Sequence, residues 1–501
     1  MTVPFKIPLL SLVAVWMMHP AVNADWRTEI GWDKLQLYAG AGIPTGSNLY
    51  LEMTEAGTDY MPNTGTGAFS GITFTNISNT SSNFSGHATT VGLNYYGSTT
   101  SLLTGASSVG VRSADDFLNN FLKTSGSVGT SSAAVMSHAY IAAANALQET
   151  SFNELIKRFD FFSQDSGVIN VVGMNNGSSG TIPPIFGSAY NAISVGRTDG
   201  LHSHGTTPAN YPGPGRQKPE IVSVSSTIAT SYATGAVSSA AALLYAKAAL
   251  ASNADATHPD TIKACLMTGA TKEEFPNWSQ TSTAPLDTTY GAGELNIFHS
   301  YRIIENAESA PGTVNFRGWS RNNASTSQSV TYTFTTPDYS SPITLSSTLV
   351  WQRGVRKIGS LYTYRTLADL RLELLNQSGT LIQSSDSTLD NIEHLWNTGL
   401  SPNTTYSLKV TSNSGSADFS LAWRVNGIAT AVISSVANGN DVDLSMSQLL
   451  ASVAYTVQRS TDLAGWSDVH SFTATGTTHS WTDTTVPTGT RVFYRLRFFE
   501  P

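Results

Sequence analysis

Between about residue 45 and residue 300 the chain alternates short apolar runs, bounded by Gly and Asn, with longer segments whose apolar residues recur at helical spacing. That alternation predicts strands buried on both faces and joined by helices, hence a parallel sheet covered by helices. Val168 to Val172, ending in Asn175-Asn176-Gly177, reads as one such strand running into a turn, and Ala192 to Val195 as another. Ser113, followed by Asp115 and Asp116 and then by Phe117, Leu118, Phe121 and Leu122, predicts a capped helix with acids at its positive end and one apolar stripe. Ala236 to Leu250 is rich in Ala and Leu and nearly free of charge, which predicts a buried helix.

Past Tyr301 the pattern changes. Glu308 to Gly312 has the composition of a linker, and Thr, Ser and alternating apolar residues dominate afterwards. Leu370, Leu372 and Leu374 alternate with Arg371 and Glu373, the period of a half-buried strand, and Asn376 to Gly379 supplies a turn before Leu381-Ile382. A second break near Asn426-Gly427 precedes a shorter β-rich stretch with Tyr455, Val457, Trp466, Trp481, Phe493 and Tyr494. The pattern thus predicts an α/β domain over 25–310 followed by two all-β domains, over 311–427 and 428–501.

Composition narrows the function classes. Apolar residues make up 40% of the 501 and charged residues 12%, a balance of packed domains rather than charge-driven disorder. The net charge of −8, with no cluster of Lys or Arg, leaves no basic face for nucleic acid. Lys6, an apolar run from Ile7 to Val22 interrupted by Pro8, Ser11, His19 and Pro20, and the small residues flanking Asn23 together predict a signal peptide over 1–24 and an exported, secreted protein. No later stretch is long and apolar enough to predict a membrane span. The single cysteine, Cys265, falls in an expected helix from Thr261 to Met267 and reads as packing. His202 and His204 with Asp199 supply too few ligands for a closed metal site, and Asp386, Asp390 and Asn391 lack a glycine-turn calcium loop. No metal or cofactor is expected.

Four segments carry candidate chemistry. Lys218 to Val222, then Thr230-Ser231-Tyr232-Ala233-Thr234, then Ala240 to Leu244 place a serine at the start of a buried helix, where backbone N–H groups and the helix dipole face a developing oxyanion. The bland alternative is a small residue that lets the helix pack closely. Ser85-Gly86-His87-Ala88-Thr89-Thr90-Val91-Gly92 offers an imidazole, the side chain that titrates near neutral pH without large perturbation. Val171 to Gly177 presents Asn175, with Asn176 as the register alternative and an Asn-Asn-Gly turn as the structural reading. Leu49 to Thr54 runs into Glu55-Ala56-Gly57, with Asp59 just beyond.

Read together, these segments resemble the subtilase family of serine peptidases over roughly residues 45 to 300, and Tyr290 to Asn296 is similar to the family's closing segment. The resemblance implies Ser231 as nucleophile, His87 as general base, Asn175 as oxyanion donor and Glu55 as the acid that orients the imidazole, with Asp59 as rival. The 32 positions from Glu55 to His87 match the family's usual separation, although glutamate stands where the family has aspartate. Thr90, Ala88, Ala229 and Gly235 also depart from the family pattern. The implied substrate is protein or peptide; an inactive relative serving as a surface or adhesion protein is the alternative. Only about 20 residues separate Ala24 from the first expected strand, so folding without a long propeptide is expected. Residues 313 to 427 resemble the β-sandwich domains that follow the catalytic domain in secreted bacterial peptidases, and 428 to 501 resemble small fibronectin-like sandwiches.

Overall fold

The computed structural model describes residues 25–499 apart from 124, 143–148, 183–184, 429–430, 451–452 and 488–490. The expected signal segment, 1–24, lies outside the described residues. A seven-stranded sheet organises the first part of the chain. Its strands are β1 (Tyr50–Glu55), β2 (Thr73–Asn76), β3 (Ser108–Ser113), β4 (Val135–His138), β5 (Ile169–Gly173), β6 (Ile193–Arg197) and β7 (Ile221–Ser223). They lie in the order β2-β3-β1-β4-β5-β6-β7, every neighbouring pair parallel.

Helices cover both faces: α1 (Gly86–Tyr95), α2 (Glu149–Ser166), α3 (Thr230–Ala249), α4 (Pro259–Gly269) and α5 (Ile297–Ile304). Because side chains alternate along a strand, Val135 and Val171 enter the core shared with α1, α3 and α4, while Met136 and Val172 enter the one beneath α2. This two-sided burial is why the strands read as continuous apolar runs, and each fully buried Val or Met contributes roughly 1.5–3 kcal/mol. Helix α3 is buried almost all round, matching the nearly uncharged run from Ala236, and Cys265 is fully buried in α4, where burial pushes its thiol up.

The segment after β3 departs from expectation. Ser113 stands at the N-cap position, but its side chain makes no capping bond, and Phe117–Leu122 winds as a π-helix. Asp116 is drawn instead to Arg112 at 2.9 Å and to the Asn120 amide at 2.8 Å, so the acid serves an ion pair rather than the helix dipole. The expected apolar stripe survives: Phe117, Phe121 and Leu122 are buried.

From Gly312 on, the described residues are β. Strands Arg317–Ser325, Ser340–Trp351, Ile392–Leu400 and Ser416–Ile428 form an antiparallel four-stranded sheet, and a five-stranded sheet packs on it through Leu370, Leu372 and Leu374. One expectation fails locally. Glu308 is no free linker residue, since its carboxylate accepts from the Arg321 N–H at 3.0 Å and the Asn253 amide at 2.9 Å. At the expected second break the strand is irregular: Asn426 pairs with Thr344, and the register shifts at Gly427 before Ile428 pairs with Ser340. The four-stranded sheet lies against α4, with the Thr261 and Ser420 hydroxyls 2.8 Å apart and Trp319, Val350 and Ile392 joining the α/β core. No helix among the described residues is long and apolar enough to cross a membrane.

Candidate active site

Parallel α/β sheets collect functional groups at the carboxyl ends of their strands. Here Glu55 is the last residue of β1, Asn175 lies just past β5, and His87 and Ser231 open α1 and α3. All four line one cavity of about 290 Å³, with Ala139, Tyr140 and Met174 among its walls.

Local structure positions each group. The Ser85 hydroxyl caps α1 by accepting from the Ala88 N–H at 3.2 Å, and Thr89 Oγ1 donates back to the Ser85 carbonyl at 2.7 Å, so His87 sits in a fixed first turn. His87 Nδ1 is 2.7 Å from Glu55 Oε2. Nδ1–H donating to the carboxylate leaves Nε2 as the free acceptor on the cavity side. The Glu55 carboxyl is 2% exposed, whereas the imidazole is 42% exposed, so the acid is walled in and the base meets solvent. The hydrogen bond to Glu55 raises the His87 pKa above its usual value against the opposing effect of partial burial. Burial raises the Glu55 carboxyl and the imidazole offsets part of that rise. Asp59, the rival acid, is exposed on its loop and accepts from the Asn83 N–H at 3.2 Å.

Ser231 is the second residue of the 20-residue α3, and its Oγ donates to the Ala139 carbonyl at 3.4 Å. The Tyr232 ring lies 5.8 Å from the His87 ring, which brings the start of α3 beside the imidazole. The two asparagines divide their work. Asn176 Oδ1 accepts from the Thr230 N–H at 2.9 Å and its hydroxyl at 3.2 Å, capping α3 from outside. Asn175 keeps its backbone tied to the Ser203 N–H at 2.8 Å, and its side chain lines the cavity with no protein partner among the described residues.

The departures from the family pattern have local accounts. Ala229 has φ −158°, extended backbone that needs no glycine. A Cβ on Gly235 would lie 2.8 Å from the Val91 carbonyl and 3.1 Å from Asn94 Cβ, so only glycine lets α1 and α3 approach this closely. Thr90 turns its hydroxyl to the Gly86 carbonyl at 3.0 Å. The Tyr290 to Asn296 segment runs along β7, with the Val222 N–H on Gly293 and the Leu295 N–H on Val222, and Asn296 caps α5. His202 spends both ring nitrogens, accepting from the Arg197 N–H at 3.1 Å and meeting the Thr289 carbonyl at 2.8 Å. Burial holds its pKa down to about 4. Among the described residues no three His, Cys, Asp or Glu side chains are grouped so as to hold a metal ion.

Sequence reasoning missed Tyr140. The run Val135-Met136-Ser137-His138 is a short strand ending at the sheet's carboxyl edge, the signal that would have placed the residues after it in the cavity.

No family model matches the chain, and no curated protein matches it. Among solved structures it is similar to a lanthipeptide protease, at 10% identity and TM-score 0.39, over 55% of this chain and 94% of that one. It is also similar to the pre-peptidase C-terminal domain of collagenase from Bacillus anthracis, at 13% identity and TM-score 0.17, over 24% of this chain and 98% of that one.

Proposed function

We infer that the chain is a secreted, subtilisin-like serine endopeptidase, with a signal peptide over 1–24, a peptidase domain over 25–310 and two β-sandwich domains after it. One observation carries this reading: a buried carboxylate 2.7 Å from a histidine Nδ1, in the same cavity as a serine at the start of a long helix. In the reaction His87 Nε2 takes the proton of Ser231 as Oγ bonds to the peptide carbonyl carbon. The resulting oxyanion accepts hydrogen bonds from the Asn175 amide and the N–H groups opening α3. His87 then hands the proton to the leaving amine as the C–N bond breaks, and water repeats the sequence on the acyl-enzyme. Glu55 holds the imidazole tautomer and stabilises its cation without itself taking the proton.

A second reading, an inactive relative acting as a surface or adhesion protein, is favoured by one contact: Ser231 Oγ donates to the Ala139 carbonyl. Turnover of an unspecific casein-type substrate decides between them. Activity in the parent that Ser231→Ala abolishes supports the peptidase. Well-folded parent protein without turnover supports the second reading.

A further inference from the structure

The helix that carries His87 also holds the segment leading to Ser231. Asn94 follows His87 on α1 by two turns, about 10 Å along the axis, and on the same side of the helix. An asparagine inside a helix is a poor helix former, and burying its amide is costly unless partners satisfy it. Asn94 is fully buried and finds those partners. Its Nδ2 donates to the Thr90 carbonyl at 2.9 Å and to Ser226 Oγ at 2.8 Å, and its Oδ1 accepts from the Ser226 N–H at 3.0 Å. The partners fix which way the amide points, because a carbonyl can only accept and a backbone N–H can only donate. Two of the three bonds thus close on one residue, Ser226.

Ser226 stands in the segment 224–229, which carries the chain from β7 into α3 just ahead of Ser231. Ser226, Thr227 and Ile228 are exposed, so packing does little to hold them. The Thr227 carbonyl accepts from Ser225 Oγ at 2.7 Å and from the Ala229 N–H at 2.9 Å, bonds internal to the segment. Among the described residues, Asn94 is the one partner outside the segment that hydrogen-bonds to 225–228. Asn176 fixes the far end, at Thr230. Gly235 brings the two helices together at the same level, where an added Cβ would lie 3.1 Å from Asn94 Cβ. We propose that Asn94 is a positioning residue for the reaction: by clamping Ser226 it fixes where the chain enters α3, and so where Ser231 stands relative to His87. The proposal rests on the peptidase reading.

The test uses the mature full chain and a peptide amide substrate, with fluorophosphonate titration so that turnover is counted per reactive Ser231. Asn94→Leu, which keeps the branched shape and loses all three bonds, is expected to lower kcat about 10- to 100-fold with KM within about twofold of the parent. Ser226→Ala removes one clamp bond at an exposed position. It is expected to lower kcat about three- to tenfold while Tm stays within about 2 °C of the parent. Because both changes cut the same bond, the double variant is no worse than Asn94→Leu alone. The acidic limb of the kcat/KM profile stays in place, since Glu55 and His87 are untouched. A purely structural Asn94 would lower Tm and leave kcat per labelled site at the parental value, and that result would overturn the proposal. A loss carried by KM, additive losses or a displaced acidic limb would overturn it too. Should Asn94→Leu fail to fold, kcat per labelled site in Ser226→Ala decides. If the fluorophosphonate fails to label Ser231 in the parent, the peptidase reading falls and the inference with it. A labelled parent with an unmoved kcat in Ser226→Ala sinks the inference alone.

Discussion

The acid that meets the imidazole is a glutamate, and its reach is what the structure accommodates. Glu55 ends β1 and touches His87 Nδ1 at 2.7 Å, while Asp59 is occupied with the Asn83 N–H. Glu55→Gln keeps the shape but offers an amide that favours the wrong tautomer, so turnover of a casein-type substrate is expected to fall by about 10³ to 10⁴. Asp59→Asn is expected to stay within about threefold of the parent. A collapse in the Asp59 variant with a near-normal Glu55 variant would move the role. The same pair sets a pH dependence. The proposed reaction needs neutral His87, and its hydrogen bond with Glu55 raises the pKa, so the rate is expected to fall as pH decreases through a pKa above the ordinary imidazole value. Glu55→Gln removes that cause, and the acidic limb of its residual kcat/KM profile is expected to shift to lower pH. An unmoved limb would detach the titration from Glu55.

At the scale of elements, the apolar runs at Val168 and Ala192 and the nearly uncharged run at Ala236 were legible because two-sided burial leaves a plain mark on composition. The Ser113 segment misled because Arg112, on the strand four residues before Asp116, pairs with that acid, so Asp116 turns back to the strand instead of serving the start of a capped helix. Asn175 and Asn176 were separable only in space, since which one caps α3 depends on how the turn after β5 meets a helix far along the chain. Gly235 carries the most exposed element-level claim. It lets α1, with His87, lie close to α3, with Ser231, so Gly235→Ala must push the helices apart. A loss of about 1–3 kcal/mol in denaturant unfolding is expected, together with a drop in kcat/KM. A variant with parental stability and activity would show that the contact does not set the approach of base and nucleophile.

At the scale of the molecule, the change of texture past Tyr301 marked the switch from α/β to β, but not how far the two share a core. Beyond the Thr261–Ser420 contact, the hairpin Val355–Ile358 and Leu361–Tyr364 docks on α2. There the Tyr362 hydroxyl accepts from the Val128 N–H at 2.9 Å, and the Arg158 guanidinium sits 4.3 Å from the Tyr362 ring centroid. Residues 311–501 thus cover helices on both faces of the sheet. A fragment comprising 25–310 would expose these surfaces and is expected to unfold at least about 10 °C below the mature full chain, or without a cooperative transition, in calorimetry. An unchanged Tm would show the two parts to be energetically independent.

The central claim is that Ser231 is a nucleophile activated by the Glu55–His87 pair, and covalent capture tests it most directly. The folded mature chain is treated with a fluorophosphonate, digested, and mapped by mass spectrometry. The account predicts one modified peptide bearing the phosphonyl group on Ser231, with labelling slowed at least about 10³-fold in His87→Ala. Well-folded protein that stays unlabelled at Ser231, or that labels equally fast without His87, would contradict it.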